Sequence, residues 1–187
     1  MIDFVTLRSR IRPAEQRALL DYWLRIRGDR PAPARADVRP EEIGAAVLPH
    51  VGLVDVLEGG ARFRYRLVGT AMNRLYRRDY TGTFVDVAKA PDYAGVLLRE
   101  YRRCAVYRTV RYFEAPSRFA NDHRRPTYRL LLPLASDGGA VDMILFSTIA
   151  DASEHLPVRL REQLGGDAVV AIEDYTVHSV TLAPSRP

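Results

Sequence analysis

Apolar and polar residues alternate through the stretch Arg62 to Leu67, where Phe63, Tyr65 and Leu67 interleave with Arg62, Arg64 and Arg66. A side-chain period of two makes this a strand that sends its rings to one face and its guanidiniums to the other. The apolar run ahead of it, from His50 onward, ends at Gly59-Gly60, a pair that supplies the positive φ angles of a tight hairpin. Gly69 then leads into short helical turns with Met72 and Leu75 on one side, closing at Thr81-Gly82, after which Phe84, Val85 and Val87 are expected to re-enter the core. Two segments show helical spacing instead. Leu19, Tyr22, Trp23 and Ile26 form a stripe within residues 13–27, and Tyr93, Leu97, Tyr101 and Cys104 or Ala105 form another within Pro91–Val106.

The remaining pattern predicts a proline-rich connector over 28–40, a short helix over 40–47, and strands over 107–114, 127–135 and 140–149. The last two are joined by the turn Ser136-Asp137-Gly138-Gly139. Residues 115–126 read as a polar loop, 157–164 as a helix ending at Gly165-Gly166, and 168–180 as a strand. Two strands, a helical crossover and three strands make an α+β domain with helices on one face of an antiparallel sheet. The chain divides into an N-terminal helix and connector over 1–36, a domain over 37–150 and an extension over 151–187.

Composition narrows the function classes. At 187 residues, 47% hydrophobic and 27% charged, the chain suits one globular domain with extensions, with no apolar run of membrane-spanning length and no leader pattern. The single Cys104 excludes an internal disulfide, and a cytoplasmic address is the default expectation. A net charge of +5 raises the question of nucleic acid, yet Lys89 is the only lysine and the arginines are shared among all predicted elements. Nucleic-acid binding is therefore not the expected role, and neither is membrane association.

Several short motifs occur in a telling order: Tyr22-Trp23, then Pro33, Asp37 and Pro40 before Leu48-Pro49, then Phe63-Arg64-Tyr65-Arg66-Leu67-Val68-Gly69-Thr70, then Thr81-Gly82. From Leu19 to Ile149 this resembles a family of stand-alone, single-domain PAS proteins of alphaproteobacteria. The resemblance implies a PAS-like five-stranded antiparallel sheet of order 2-1-5-4-3, the helices of residues 70–106 on one face and an N-terminal capping helix. It also implies a small-molecule cavity between helices and sheet, or partner contacts through the sheet and the N-terminal helix. Haem-binding PAS sensors resemble one another in a histidine on the helix that corresponds to Pro91–Val106, which has none; flavin photosensors carry Asn-Cys-Arg where this chain reads Asn73-Arg74-Leu75. No cofactor is expected.

Other chemistry has little footing. His50, His123, His155 and His178 are far apart in sequence and lack metal-ligand spacing. There is no G-x-S-x-G elbow, and the carboxylate pairs Asp142 with Glu173, or Asp55 with Glu114, have no partner nucleophile. The candidate pocket is an aromatic one with polar tips: Tyr65, Asn73, Tyr76, Tyr101, Cys104 and Tyr128, with Arg74, Arg77 or Arg78 at its mouth for an anionic group. The rings of Phe63 to Leu67 and Tyr128 to Leu132 are expected to face one shared helical lid. Leu19, Tyr22, Trp23 and Ile26 are the candidate interface, on the chain's own sheet, on a second subunit, or on both. The expected role is a non-enzymatic regulatory module working as a homodimer or through an unidentified signalling partner, tuned by a small ligand. A small enzyme with a buried carboxylate or histidine facing Tyr65 and Tyr128 is the alternative.

Overall fold

Seven strands form one antiparallel sheet in the computed structural model, which describes residues 2–76, 78–88, 91–119, 124–150, 169–172 and 175–182. The strands β1 (Val51–Leu57), β2 (Arg62–Val68), β3 (Thr109–Phe119), β4 (Arg124–Leu134) and β5 (Met143–Ala150) lie in the order β2-β1-β5-β4-β3. This is the expected order. Beyond β3, β6 (Val169–Ile172) pairs with its far end and β7 (Thr176–Thr181) with its near end, so the tail forms two strands rather than one.

Helices cover both faces. On one side α1 (Phe4–Arg10) and α2 (Ala14–Arg27) share a core with Tyr112, Tyr128, Leu130, Leu132 and Leu134. On the other, α4 (Thr70–Tyr76), α5 (Val85–Ala88) and α6 (Pro91–Val106) form a lid over Val54, Phe63, Tyr65, Phe113, Leu131 and Phe146. The first helix was not predicted; its signal is Asp3, whose carboxylate accepts from the Thr6 amide at 2.7 Å and caps it. The α2 stripe is turned inward: Leu19 and Trp23 are fully buried, Tyr22 is 5% exposed, and Ile26 packs at the rim of the same core. Trp23 Nε1 donates to the Pro133 carbonyl at 3.0 Å, and Gln16 Nε2 to the Tyr128 carbonyl at 3.0 Å, fastening the helix to β4. These residues therefore cap the chain's own sheet.

The hairpin turns at Gly59 and Gly60 with φ of 64° and 92°. Its alternation breaks near the end of β2, where Leu53 pairs with Leu67 but Val54 pairs with Tyr65, leaving Arg66 as an extra residue. Such a bulge reverses the facing of the residues beyond it, so Val68 is buried and Leu67, expected inside, is 47% exposed. Beyond the α4 turns the chain returns alongside β2: Tyr65 donates its amide to the Thr83 carbonyl at 2.9 Å, and Gly82 donates to the Tyr65 carbonyl at 2.6 Å. Val85 is buried, but Val87 faces solvent on the outer side of α5.

The short helix α3 (Pro40–Ile43) stops earlier than predicted, because Gly44 with φ of 91° leaves the helical region. β3 and β4 run well into the predicted polar loop, pairing as far as Arg118 with Arg124. His123 and the 157–164 helix lie outside the described residues.

Candidate functional site

β4 sets the site, and it corrects the expected facing. Tyr128, Leu130 and Leu132 point toward α2, while Leu131 lies in the lid core. Arg129, one residue from each set, reaches the lid side. The rings of Phe63 and Tyr65 and that of Tyr128 are thus on opposite faces of the sheet. Tyr128 lines a shallow surface pocket with Arg12 and Glu114 instead. The physical reason is that β4 is buried on both faces from Tyr128 onward, so its apolar run carries no alternation from which a facing could be read. The strand order is untouched, because backbone pairing does not depend on which side chains face the lid.

Under the lid, Tyr65, Tyr76, Tyr80, Tyr93, Tyr101 and Phe146 are among the residues that enclose a cavity of about 10 Å³ for the centre of a water molecule, enough for about one water. The helix spacing explains the α6 contribution. Tyr93, Leu97 and Tyr101 recur every four residues on the inward face. The hydroxyls of Tyr76 and Tyr93 meet at 3.0 Å, and Tyr65 and Tyr101 share a hydrogen bond. Behind Tyr93 stands Arg129, 1% exposed, whose Nη2 donates to the Tyr93 hydroxyl at 2.8 Å and whose Nη1 donates to Thr127 Oγ1 at 2.6 Å. Thr127 in turn meets Ser117 Oγ at 2.6 Å and donates to the Ala115 carbonyl at 3.3 Å.

The electrostatics favour hydrogen-bond donors. Burial pushes the phenols of Tyr65 and Tyr76 well above their ordinary range, and Tyr101 moves the same way for the same reason. At neutral pH these groups keep their protons. Burial works to lower the Arg129 pKa, but the surrounding tyrosine oxygens leave it raised, so the guanidinium stays charged.

The predicted site residues divide. Tyr65, Tyr76 and Tyr101 line the cavity. Cys104 is buried in the same core without lining it, its thiol pushed up by burial. Asn73 lies within α4, its side-chain amide donating to the Val68 carbonyl at 3.5 Å. Arg78 is exposed, its guanidinium over the Tyr80 ring at 5.3 Å, and Arg74 is also exposed; Arg77 lies outside the described residues. Sequence reasoning missed Arg129 and Thr127 altogether. The legible signal was a single charge beside the apolar run Leu130 to Leu134.

No carboxylate or histidine faces Tyr65 among the residues that line the cavity, and no group could face both Tyr65 and Tyr128 across the sheet. Among the described residues the two most buried carboxylates are held by arginines: Asp55 by Arg64 at 2.8 Å and Glu100 by Arg111 at 2.5 Å. Glu114 pairs with Arg12 at 2.9 Å. His178 stacks on Tyr112, and among the described residues no group of three histidine, cysteine or acidic side chains could hold a metal ion.

A solved structure of the VqmA dimer from Vibrio cholerae, described in the absence of its target DNA and in connection with LuxR-type receptors, is similar at 11% identity, covering 58% of this chain and 48% of that one with a TM-score of 0.38. The chain thus spans about half the length of that structure. None of the curated sequences compared with the chain matches it. The model of the family described as PAS domain matches residues 11–148, from the approach to α2 through β5. With that match over most of its length and the β2-β1-β5-β4-β3 sheet under a helical lid, the chain belongs to the PAS-domain family.

Proposed function

We propose that the chain is a non-enzymatic sensory or regulatory module that signals through contacts with a second copy or with a signalling protein, and that a small organic molecule under the lid tunes those contacts. The observation that carries this reading is the phenol cluster enclosed between α4, α6 and the sheet in a PAS-family chain. Its hydroxyls are protonated donors, suited to holding a ligand and unsuited to abstracting a proton. A mostly aromatic pocket with a few convergent polar groups is the usual form of a small-molecule site.

The route from cavity to surface is short. Val68, at the end of β2, and Tyr76, at the far end of α4, both line the cavity, so a ligand that displaces α4 moves a solvent-facing segment. A partner that binds one lid position better than the other reads the ligand.

Native mass spectrometry of freshly purified protein, with an absorbance scan, tests the reading. The expected spectrum shows a retained small molecule or a defined assembly, with a lysate pull-down naming the partner. A bare monomer that captures nothing would contradict it.

A further inference from the structure

Among the described residues two arginines are buried, and their surroundings differ. Arg111, 5% exposed, lies against Glu100 at 2.5 Å, so its charge is neutralised in place. Arg129, 1% exposed, is held among the described residues by neutral groups: Thr127 Oγ1, the Tyr93 hydroxyl, and the ring faces of Tyr93 at 5.2 Å and Phe113 at 5.7 Å. Its Nε has no hydrogen-bond partner, and among the described residues no carboxylate pairs with it. A buried cation without a counter-charge carries a desolvation cost of several kcal/mol. Hydroxyls and ring faces offset part of that cost and leave the positive charge in place.

We propose that the lid cavity takes a small organic monocarboxylate whose carboxylate is the missing counter-charge of Arg129. This rests on the sensory reading above and adds the chemical class of the ligand. Arg129 stands one hydroxyl behind the void, and the Tyr76 and Tyr93 hydroxyls between them are placed to relay hydrogen bonds to an oxyanion. Tyr65 and Tyr101 supply further hydroxyls, while Leu97 and Phe146 offer apolar wall for the body of the acid. The cluster holds one positive charge and, among the residues that line the cavity, no anion. A carboxylate brings about four lone-pair sites and one negative charge to it. The void of about 10 Å³ for a water centre sets the scale of the head group, so the body of the acid must displace part of the lid.

The test uses the full chain, unfolded in denaturant, dialysed free of bound molecules and refolded. Thermal unfolding is followed with sodium acetate, butyrate and benzoate at constant ionic strength, each against acetamide, butyramide or benzamide, with sodium nitrate as the inorganic control. At least one acid is expected to raise the melting temperature saturably, with its amide and nitrate bound at least about tenfold more weakly. Arg129→Met is expected to abolish that response and to melt no lower than the stripped wild type, because it removes an unpaired buried charge. Tyr93→Phe is expected to weaken the acid about three- to tenfold and leave the amide unchanged.

Equal binding of acid and amide, or of acid and nitrate, overturns the carboxylate assignment while leaving a ligand-binding cavity. An Arg129→Met protein that melts well below wild type or does not fold makes the guanidinium a structural group and overturns it too. Absence of binding by every probe also overturns it, and the sensory reading then stands or falls on the retained mass and partner found in the native protein.

Discussion

At the scale of single residues, one step along β4 separates the two faces of the molecule. Tyr128 belongs to the α2 side, whereas Arg129 reaches under the lid. The tyrosines of α6 were legible because a helix with one wet side displays its stripe, and Tyr93, Tyr101 and Cys104 all fall where the 3.6 period places them. β4 has no wet side beyond its first residues, so the alternation that makes β2 readable is absent there. Cys104 offers a residue-scale test. It is fully buried, it is the chain's only cysteine, and burial pushes its thiol up, away from the reactive thiolate. Labelling with iodoacetamide at pH 8 is therefore expected to follow opening of the lid core, tracking the unfolding rate measured by circular dichroism. Labelling much faster than unfolding would mean that α6 lifts from the sheet on its own.

At the scale of elements, the hairpin and the α6 helix were present in the pattern of the chain, while the order of the five central strands followed from the resemblance to PAS proteins. The bulge at Arg66 was not, since an extra residue in a strand changes pairing without changing the local alternation that precedes it. The tail was also only partly readable, because β6 and β7 exist as partners of β3 and their short alternations mean little alone. That dependence runs both ways. β7 covers the β3 edge from Thr109 to Glu114, and Tyr175 just ahead of it donates to Glu100 at 2.9 Å and packs on Phe113 at 5.7 Å. A chain ending at Ala150 leaves that edge open, and an open edge strand pairs with other chains. Size-exclusion chromatography is expected to show concentration-dependent higher assemblies for the truncated chain and a single species for the whole one. Identical profiles would mean that β3 does not need the tail.

At the scale of the whole molecule, one sheet separates two cores with different compositions. The core under α1 and α2 is largely aliphatic and is closed by Trp23 and Gln16 against β4. The lid core holds the phenol cluster and a buried charge. The described arginines serve both sides. Arg8, Arg12, Arg25 and Arg30 make ion pairs on the N-terminal side, Arg64 and Arg66 on the hairpin, and Arg111 beneath α6, so the positive charge is distributed through the fold. If the lid cavity is the sensing site, its two states must differ in α4 to α6 and agree on the α2 side. Hydrogen exchange on the protein as purified, compared with the same protein stripped by unfolding and dialysis, reads that difference directly. The account predicts faster exchange on stripping in α4, α5, the first turns of α6 and the centre of β4, with α2 unchanged. Equal exchange throughout, or a change centred on α2 and its contacts with Tyr128, would contradict it.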